Sequence, residues 1–363
     1  MKLSSLLIFS LLPFVQLVLI LDTDVSYLVI LSGLILLLFG LKKYQKWEMQ
    51  FVFISLLFSS FLLLSLPVTK AVGPLVFSIL LVVYKNYTLR ARTLYIALMA
   101  YVIAALLFYY DSSKALMIQS YFVGNIKWSA GAQRAFPILG TEAGLMAGVF
   151  IMLAELTLIV LVRNKLRLLV ALIFLLLGIQ TKSGSFLVFI VIFLLNRRLN
   201  KKWVLCGIVG CSLAWPFFRD FVLESRIGTL ILGSSQSITN LLFFDTSLAY
   251  RMSALFSSLE VFFRNLLVIW GDKNEEVQAI YSVKYRHLNP LMDKTIHDVS
   301  SLGLILRTGG IVSLLWFLYV IKLLGLSRRL LYLMITLMFS YSLFFPLSLL
   351  LQTQKYRNKC AEY

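Results

Sequence analysis

The stretch Arg163-Asn-Lys-Leu-Arg-Leu-Leu-Val-Ala-Leu-Ile-Phe-Leu-Leu-Leu-Gly-Ile-Gln-Thr-Lys-Ser-Gly-Ser-Phe-Leu-Val-Phe-Ile-Val-Ile-Phe-Leu-Leu-Asn-Arg-Arg198 carries the logic of the whole chain. A basic turn leads into an apolar run, a short small-residue turn reverses it, and a second apolar run ends in another basic turn. Apolar runs approaching the ~20 residues needed to cross a bilayer read as transmembrane helices. Basic turns at every second junction read as the cytoplasmic side.

Outward from there the same alternation fills the sequence. Eleven apolar runs are expected to span, over about 3–21, 25–41, 49–67, 71–84, 93–109, 141–162, 168–181, 185–196, 203–218, 299–321 and 330–351. The first is read as a retained span, since no small-residue cleavage site follows it. The 363 residues are 60% hydrophobic and only 14% charged, against roughly 45–50% and 25% in soluble domains. That excludes a soluble globular enzyme, a disordered tail and a disulfide scaffold. Cys206, Cys211 and Cys360 form no framework and no metal-ligand spacing. The expected fold is an all-α integral membrane protein of about eleven (10–12) helices, a single polytopic domain over 1–363.

The net charge of +18 would suggest nucleic acid in a soluble protein. Here it is distributed by side. The turns at Lys42, Lys43, Lys46; Lys85, Arg90, Arg92; Arg163, Lys165, Arg167; Arg197, Arg198, Lys201, Lys202; and Lys322, Arg328, Arg329 alternate with turns that carry almost none. With Lys2 these segments hold seventeen Lys or Arg and one acid, Glu48, a net of +16. The rest of the chain holds seventeen basic and fifteen acidic residues, a net of +2. The charge therefore orients the protein with its N-terminus inside, and nucleic acid is not expected as a partner. Two longer segments, 110–140 and 219–298, face outward. The tail fits poorly: eleven crossings leave Lys355, Arg357 and Lys359 outside. No internal repeat is evident, which weakens a two-halved transporter reading.

The outer segments hold the candidate chemistry. From Asp245 to Gly271, Leu248, Met252, Leu255, Phe256, Leu259, Phe262, Phe263 and Leu266 recur at helical spacing. Asp245 or Thr246 can cap this helix, Glu260 and Arg264 can pair at i,i+4, and Gly271 can end it. Such an amphipathic helix would lie at the membrane interface, with Arg251 and Ser258 on its polar side. Arg134 precedes Gly140-Thr-Glu142, where Thr141 can cap the next helix and Glu142 meets its positive end. Lys182-Ser183-Gly-Ser185 places a cation and hydroxyls at a helix start suited to phosphate, although a plain interhelical turn is the more common explanation. His297 stands at the mouth of the 299–321 run, and Arg307 lies ten residues further in, about 15 Å along the helix. An arginine inside a span is costly and is by default functional; a pair with Glu155 is the structural alternative.

These residues, in this order, resemble the bacterial O-antigen polymerase (Wzy) family and, more distantly, the O-antigen ligases. The matching pieces are Arg134 with Gly140-Thr-Glu142, the Ser183-Gly-Ser185 turn, Arg251 in its helix running to Gly271, and His297 followed by Gly303 and Gly309-Gly310. The chain departs from the pattern at Ala143, where proline is frequent, at Asp298, where asparagine is, and at Phe186, where a basic residue is.

The resemblance implies a C-type glycosyltransferase-like membrane protein. It would join oligosaccharide repeat units, each on undecaprenyl pyrophosphate, at the outer face of the bacterial inner membrane. Donor and acceptor would both be lipid-linked, with membrane lipids around them and a chain-length regulator as a conceivable protein partner. No cofactor is called for. An acceptor hydroxyl attacks the donor's anomeric carbon and lipid pyrophosphate leaves, so the growing negative charge must be stabilised. No Asp-x-Asp motif stands in 110–140 or 219–298, so no metal is expected and arginine forks take its place. Arg134, Arg251 and Arg307, with Lys182, Ser183 and Ser185, are the candidates for pyrophosphate. His297 or Glu142 would orient or deprotonate the hydroxyl, with Arg251 counted among the catalytic group. The alternatives left open are an O-antigen ligase and a non-enzymatic polysaccharide flippase or permease.

Overall fold

The computed structural model describes residues 11–12, 45–85, 89–122, 143–161, 166–181, 184–195, 246–268, 271, 273–285, 301–324, 330, 333–334, 336 and 347–353. The expected runs at 3–21, 25–41 and 203–218 lie almost wholly outside them. Every regular element among the described residues is helical, in agreement with the all-α expectation.

In chain order these are α1 Lys46–Leu62, the single turn α2 Val68–Ala71, α3 Gly73–Lys85, α4 Ala91–Tyr110 and α5 Ser112–Phe122. Then come α6 Ala143–Val160, α7 Arg167–Gln180 and α8 Gly184–Leu195. They are followed by α9 Thr246–Arg264, α10 Asn274–Ile280 with a π-helical turn at Tyr281–Tyr285, and α11 Ser301–Leu324. Apolar runs rich in Leu, Ala and Phe with no internal proline favour helix, and the polar residues at their ends set the boundaries. A capping box starts α1: the Gln45 N–H donates to Glu48 Oε2 at 2.8 Å, and Gln45 in turn accepts from the backbone of the first turn. Asp111, in extended conformation, separates α4 from α5 and caps the latter. Its Oδ1 accepts from the Lys114 N–H at 3.0 Å and from the Ser113 hydroxyl at 2.7 Å. These contacts hold the Asp111 carboxyl down at about 2, the Ser113 hydroxyl contributing most.

One apolar core joins α1, α3, α4, α6, α7, α8 and α11. Its aromatic centre stacks Phe58 on Trp316 with centroids 5.5 Å apart, while Phe77 meets the same indole edge-on at 5.5 Å. The buried Trp316 N–H donates to Ser55 Oγ at 3.0 Å, which satisfies it. A smaller cluster of Ala254, Val261, Val277, Ile280 and Tyr281 lies between α9 and α10. Outside the core, α4 exposes Ile96, Met99, Ile103 and Leu106, and α7 exposes Leu168, Leu172, Leu176 and Ile179. Two of the described helices, Ala91–Tyr110 and the Ser301–Lys322 part of α11, are long and apolar enough to cross a membrane; Gly73–Lys85, Leu145–Val160 and Arg167–Gln180 are shorter.

Two ends of the bundle can be told apart. At one, Lys85 Nζ pairs with Glu48 Oε1 at 2.7 Å and sits 4.1 Å over the Trp47 ring. Trp47 and Lys85 line a shallow cleft of about 20 Å³ together with Leu324, Gln352 and Thr353. At the other, the Gly271 N–H donates to Ser65 Oγ at 2.7 Å, so the 219–298 segment meets the turn after α1.

The run at 330–351 differs from its expected form. The hydroxyl oxygens of Thr336 and Ser348 are 3.4 Å apart, whereas twelve residues of continuous helix would separate them by about 18 Å. Thr336 and Ser348 therefore do not lie on one continuous straight helix. Polarity alone could not reveal this, because serine and threonine are tolerated within an apolar helix.

Candidate functional site

Of the sequence-predicted site residues, Arg134, Glu142, Lys182, Ser183 and His297 lie outside the described residues. Ser185 is the second residue of α8, and Arg251 is in the second turn of α9. Arg307 is placed in full, and a polar clasp is built around it.

The helix α9 runs from Thr246 to Arg264. It starts where the cap residues predict and stops seven residues before Gly271. The expected i,i+4 pair is present, with Arg264 Nη2 and Glu260 Oε1 2.5 Å apart. Glu260 Oε1 also accepts from Lys284 Nζ at 2.6 Å, which ties α9 to the π-helical turn. Lys284 first, and Arg264 after it, hold the Glu260 carboxyl below its ordinary range.

The faces of α9 require a correction. Phe263 is 70% exposed and Phe256 40% exposed, whereas Ser258 is only 3% exposed. The buried residues of α9 are Ser253, Ala254, Leu255, Ser257, Ser258, Val261 and Phe262: Leu255 and Phe262 of the expected stripe turn inward, joined by small and polar residues, while Phe256 and Phe263 turn outward. Small side chains let α9 approach α11 closely, and their hydroxyls are satisfied: Ser257 Oγ donates to Ser253 O at 2.8 Å, and Ser258 Oγ serves Arg307. Arg251 precedes Ser258 by seven residues, so it occupies the same register two turns back along the helix.

Arg307, 2% exposed, projects from α11 into this seam. Its Nη1 donates to Ser258 Oγ at 3.2 Å and its Nη2 to Asn274 Oδ1. Both acceptors come from the 219–298 segment, one from α9 and one from the first residue of α10. A buried guanidinium needs such acceptors, because an ion without them is strongly disfavoured at low dielectric.

Three residues beyond Arg307 the helix breaks. Gly310 takes φ 51°, ψ −135°, a region that residues with a Cβ essentially do not occupy. The break frees backbone groups, and the neighbouring segment accommodates them. The Ile311 N–H, whose helical acceptor would be the Arg307 carbonyl, donates instead to Leu266 O at 2.9 Å. The Arg307 carbonyl accepts from Lys273 Nζ at 3.0 Å. Ser313 Oγ reaches back to Ile305 O at 2.6 Å. Gly309 is needed for a different reason. A Cβ there would fall 2.2 Å from Ser313 Oγ and 3.1 Å from the Phe58 ring.

Lys273 stands at positive φ (52°), rare for a residue with a side chain. From there its ammonium also reaches Val268 O at 2.6 Å. Burial draws its pKa down, opposed by the nearby Glu276. Sequence reasoning missed Lys273 and Asn274 as partners of the break. The signal that could have found them is the polar run Gly271-Asp-Lys-Asn-Glu-Glu276 between an apolar helix and Val277.

Chemically, this arrangement fixes a cationic side chain beside the Arg251-bearing helix and anchors that helix to a broken apolar helix. No family model, no curated protein and no solved structure matches the chain.

Proposed function

We propose that the chain is a polytopic membrane glycosyltransferase. In this reading it polymerises undecaprenyl-pyrophosphate-linked oligosaccharide repeat units, without a metal, at the outer face of the bacterial inner membrane. The observation that carries the reading is the docking of α9 on the Gly309–Gly310 break through Arg307, Ser258 and Asn274. It brings together two of the sequence motifs that resemble the polymerases, the Arg251 helix and the Gly309-Gly310 pair. The exposed apolar ridges of α4 and α7 support a lipid environment, since contiguous apolar surface of this kind is unusual in a soluble monomer.

In the reaction, an acceptor sugar hydroxyl attacks the anomeric carbon of the donor, the bond to pyrophosphate breaks, and the lipid pyrophosphate departs with the electron pair. Arg251 and Arg134 would present planar forks of donors to that leaving group. His297 or Glu142 would take the hydroxyl proton. The Ser258 and Asn274 bonds favour a positioning role for Arg307: it fixes where α9, and hence Arg251, stands.

The test is to supply purified protein with a lipid-linked repeat unit and separate the products by size. A ladder of products spaced by one repeat supports polymerisation. Transfer of preformed polymer to lipid A core with no ladder would mean ligation, and movement of lipid-linked units between leaflets without bond formation would mean transport. Arg251→Lys keeps the charge and loses the fork, so ladder formation should fall roughly 10²-fold or more. Near-normal ladders from that variant would refute the arginine clamp.

A further inference from the structure

We propose that the outer segment dips into the membrane at the end of α9, where Phe263, Leu267 and Val268 meet the acyl chains of outer-leaflet phospholipid. The inference rests on the membrane reading above and is independent of the glycosyltransferase chemistry.

Two hydrogen bonds give α9 its direction. Ser258 meets Arg307, and eight residues later Leu266 O accepts from the Ile311 N–H, four residues further along α11. The end of α9 therefore advances along α11 toward Lys322, in that helix's last turn. Lys273 and Asn274 bond to Arg307 again, so they stand back at its level. Leu266 to Val268 are the deepest described part of the segment.

Two helices measure that depth from the basic end. Ile311 precedes Lys322 by eleven residues, about 16 Å along α11. On α1, the Phe58 ring lies beside Gly309, and Phe58 is twelve residues, about 18 Å, from Lys46. The hydrocarbon layer is ~30 Å thick, so the end of α9 stands well inside it.

The groups at this depth suit lipid. Leu267 is 78% exposed, and Phe263 and Val268 are exposed with it. Irregular backbone in hydrocarbon is tolerated only where its polar groups are met. Here Leu266 O accepts from Ile311, the Val268 N–H donates to Asn265 O at 2.9 Å, and Val268 O accepts from Lys273 Nζ. The Asn265 side chain donates to Glu276 Oε2 at 2.6 Å. Arg264 reaches back one turn to Glu260, away from the apolar end, as cationic side chains do when they snorkel toward headgroups. Lys284 joins the same carboxylate, so two cations share one anion and the cluster keeps a positive charge for lipid phosphate.

The experiment uses the full-length chain with Cys206, Cys211 and Cys360 replaced by serine, reconstituted in vesicles of phosphatidylethanolamine and phosphatidylglycerol. A nitroxide is attached at Leu267→Cys and, in separate chains, at Phe263→Cys and Phe256→Cys. Its collisions with oxygen, which partitions into acyl chains, are compared with those with a water-soluble nickel chelate. Met99→Cys on the exposed face of α4 and Lys114→Cys on α5 calibrate lipid and water. The labels at 267 and 263 should match the one at 99, with oxygen favoured several-fold more than at 114. The label at 256, one to two turns earlier on α9 than 263, should lie shallower.

Labels at 267 and 263 that match the one at 114 overturn the proposal, and a lipid-exposed label at 99 leaves the membrane reading intact. Labels shielded from both reagents mean that protein covers the surface, which overturns the proposal as well. So does a lipid signal that appears only when undecaprenyl phosphate is added, which would assign the surface to a polyprenyl chain. A label at 256 deeper than that at 267 overturns the descent of α9. If the label at 99 reports water, the membrane reading falls with the proposal.

Discussion

A guanidinium buried in an apolar helix persists only where acceptors meet it, and at Arg307 those acceptors are Ser258 and Asn274. Ser258→Ala removes one of them while leaving the helix register unchanged. It should lower stability by about 1–3 kcal/mol, read as a fall in the midpoint of thermal unfolding in detergent. Asn274→Ala should behave similarly. The two changes should be less than additive with Arg307→Met, because all three act on one network. The sequence singled out Arg307 correctly as a residue needing partners, since an arginine eight residues inside the 299–321 apolar run has no local solution. It could not name them. Serine reads as a solvent-facing residue by type, and only the close approach of α9 and α11 turns Ser258 inward. Asn274 is separated from Arg307 by 33 positions, and nothing in its own neighbourhood points to an arginine.

At the level of elements, α3, α4, α6, α7, α8 and α11 fall within a few residues of the apolar runs that foretold them, because run length and terminal polar residues are local properties. The early end of α9, the break in α11 and the approach of Thr336 to Ser348 are tertiary. Each depends on what a neighbouring segment offers to freed backbone groups or on what encloses the chain. Gly310→Ala should therefore cost about 1–3 kcal/mol, the strain of a Cβ at that backbone conformation. Gly310→Asn should be tolerated little better, because ψ −135° lies outside the left-handed helical region that asparagine visits. Unfolding midpoints check both. The link between α9 and the π-helical turn is electrostatic. Glu260 has its carboxyl pKa lowered in the folded protein, so its contribution is complete above the ordinary carboxylate value of about 4.3 and is lost as pH falls through the lowered value. Protection of the 277–285 amides, measured relative to the intrinsic exchange rate at each pH, should fall on acidification. Glu260→Gln should show low protection at neutral pH with little further loss on acidification.

Across the whole molecule, charge and apolar surface divide the labour. Lipid-compatible ridges on α4 and α7 lie outside the core, the Glu48–Lys85 pair marks one end, and the Gly271–Ser65 bond marks the other. The exchange of hydrogen bonds at the broken helix has a mechanical consequence. Ile311 and Arg307 have surrendered a bond to each other for bonds to Leu266 and Lys273. The 219–298 segment cannot lift away without stranding a donor and a carbonyl inside an apolar helix, and the helix cannot straighten without displacing the segment. Loop and helix thus share a single degree of freedom, and any opening that admits a bulky substrate must move both or neither.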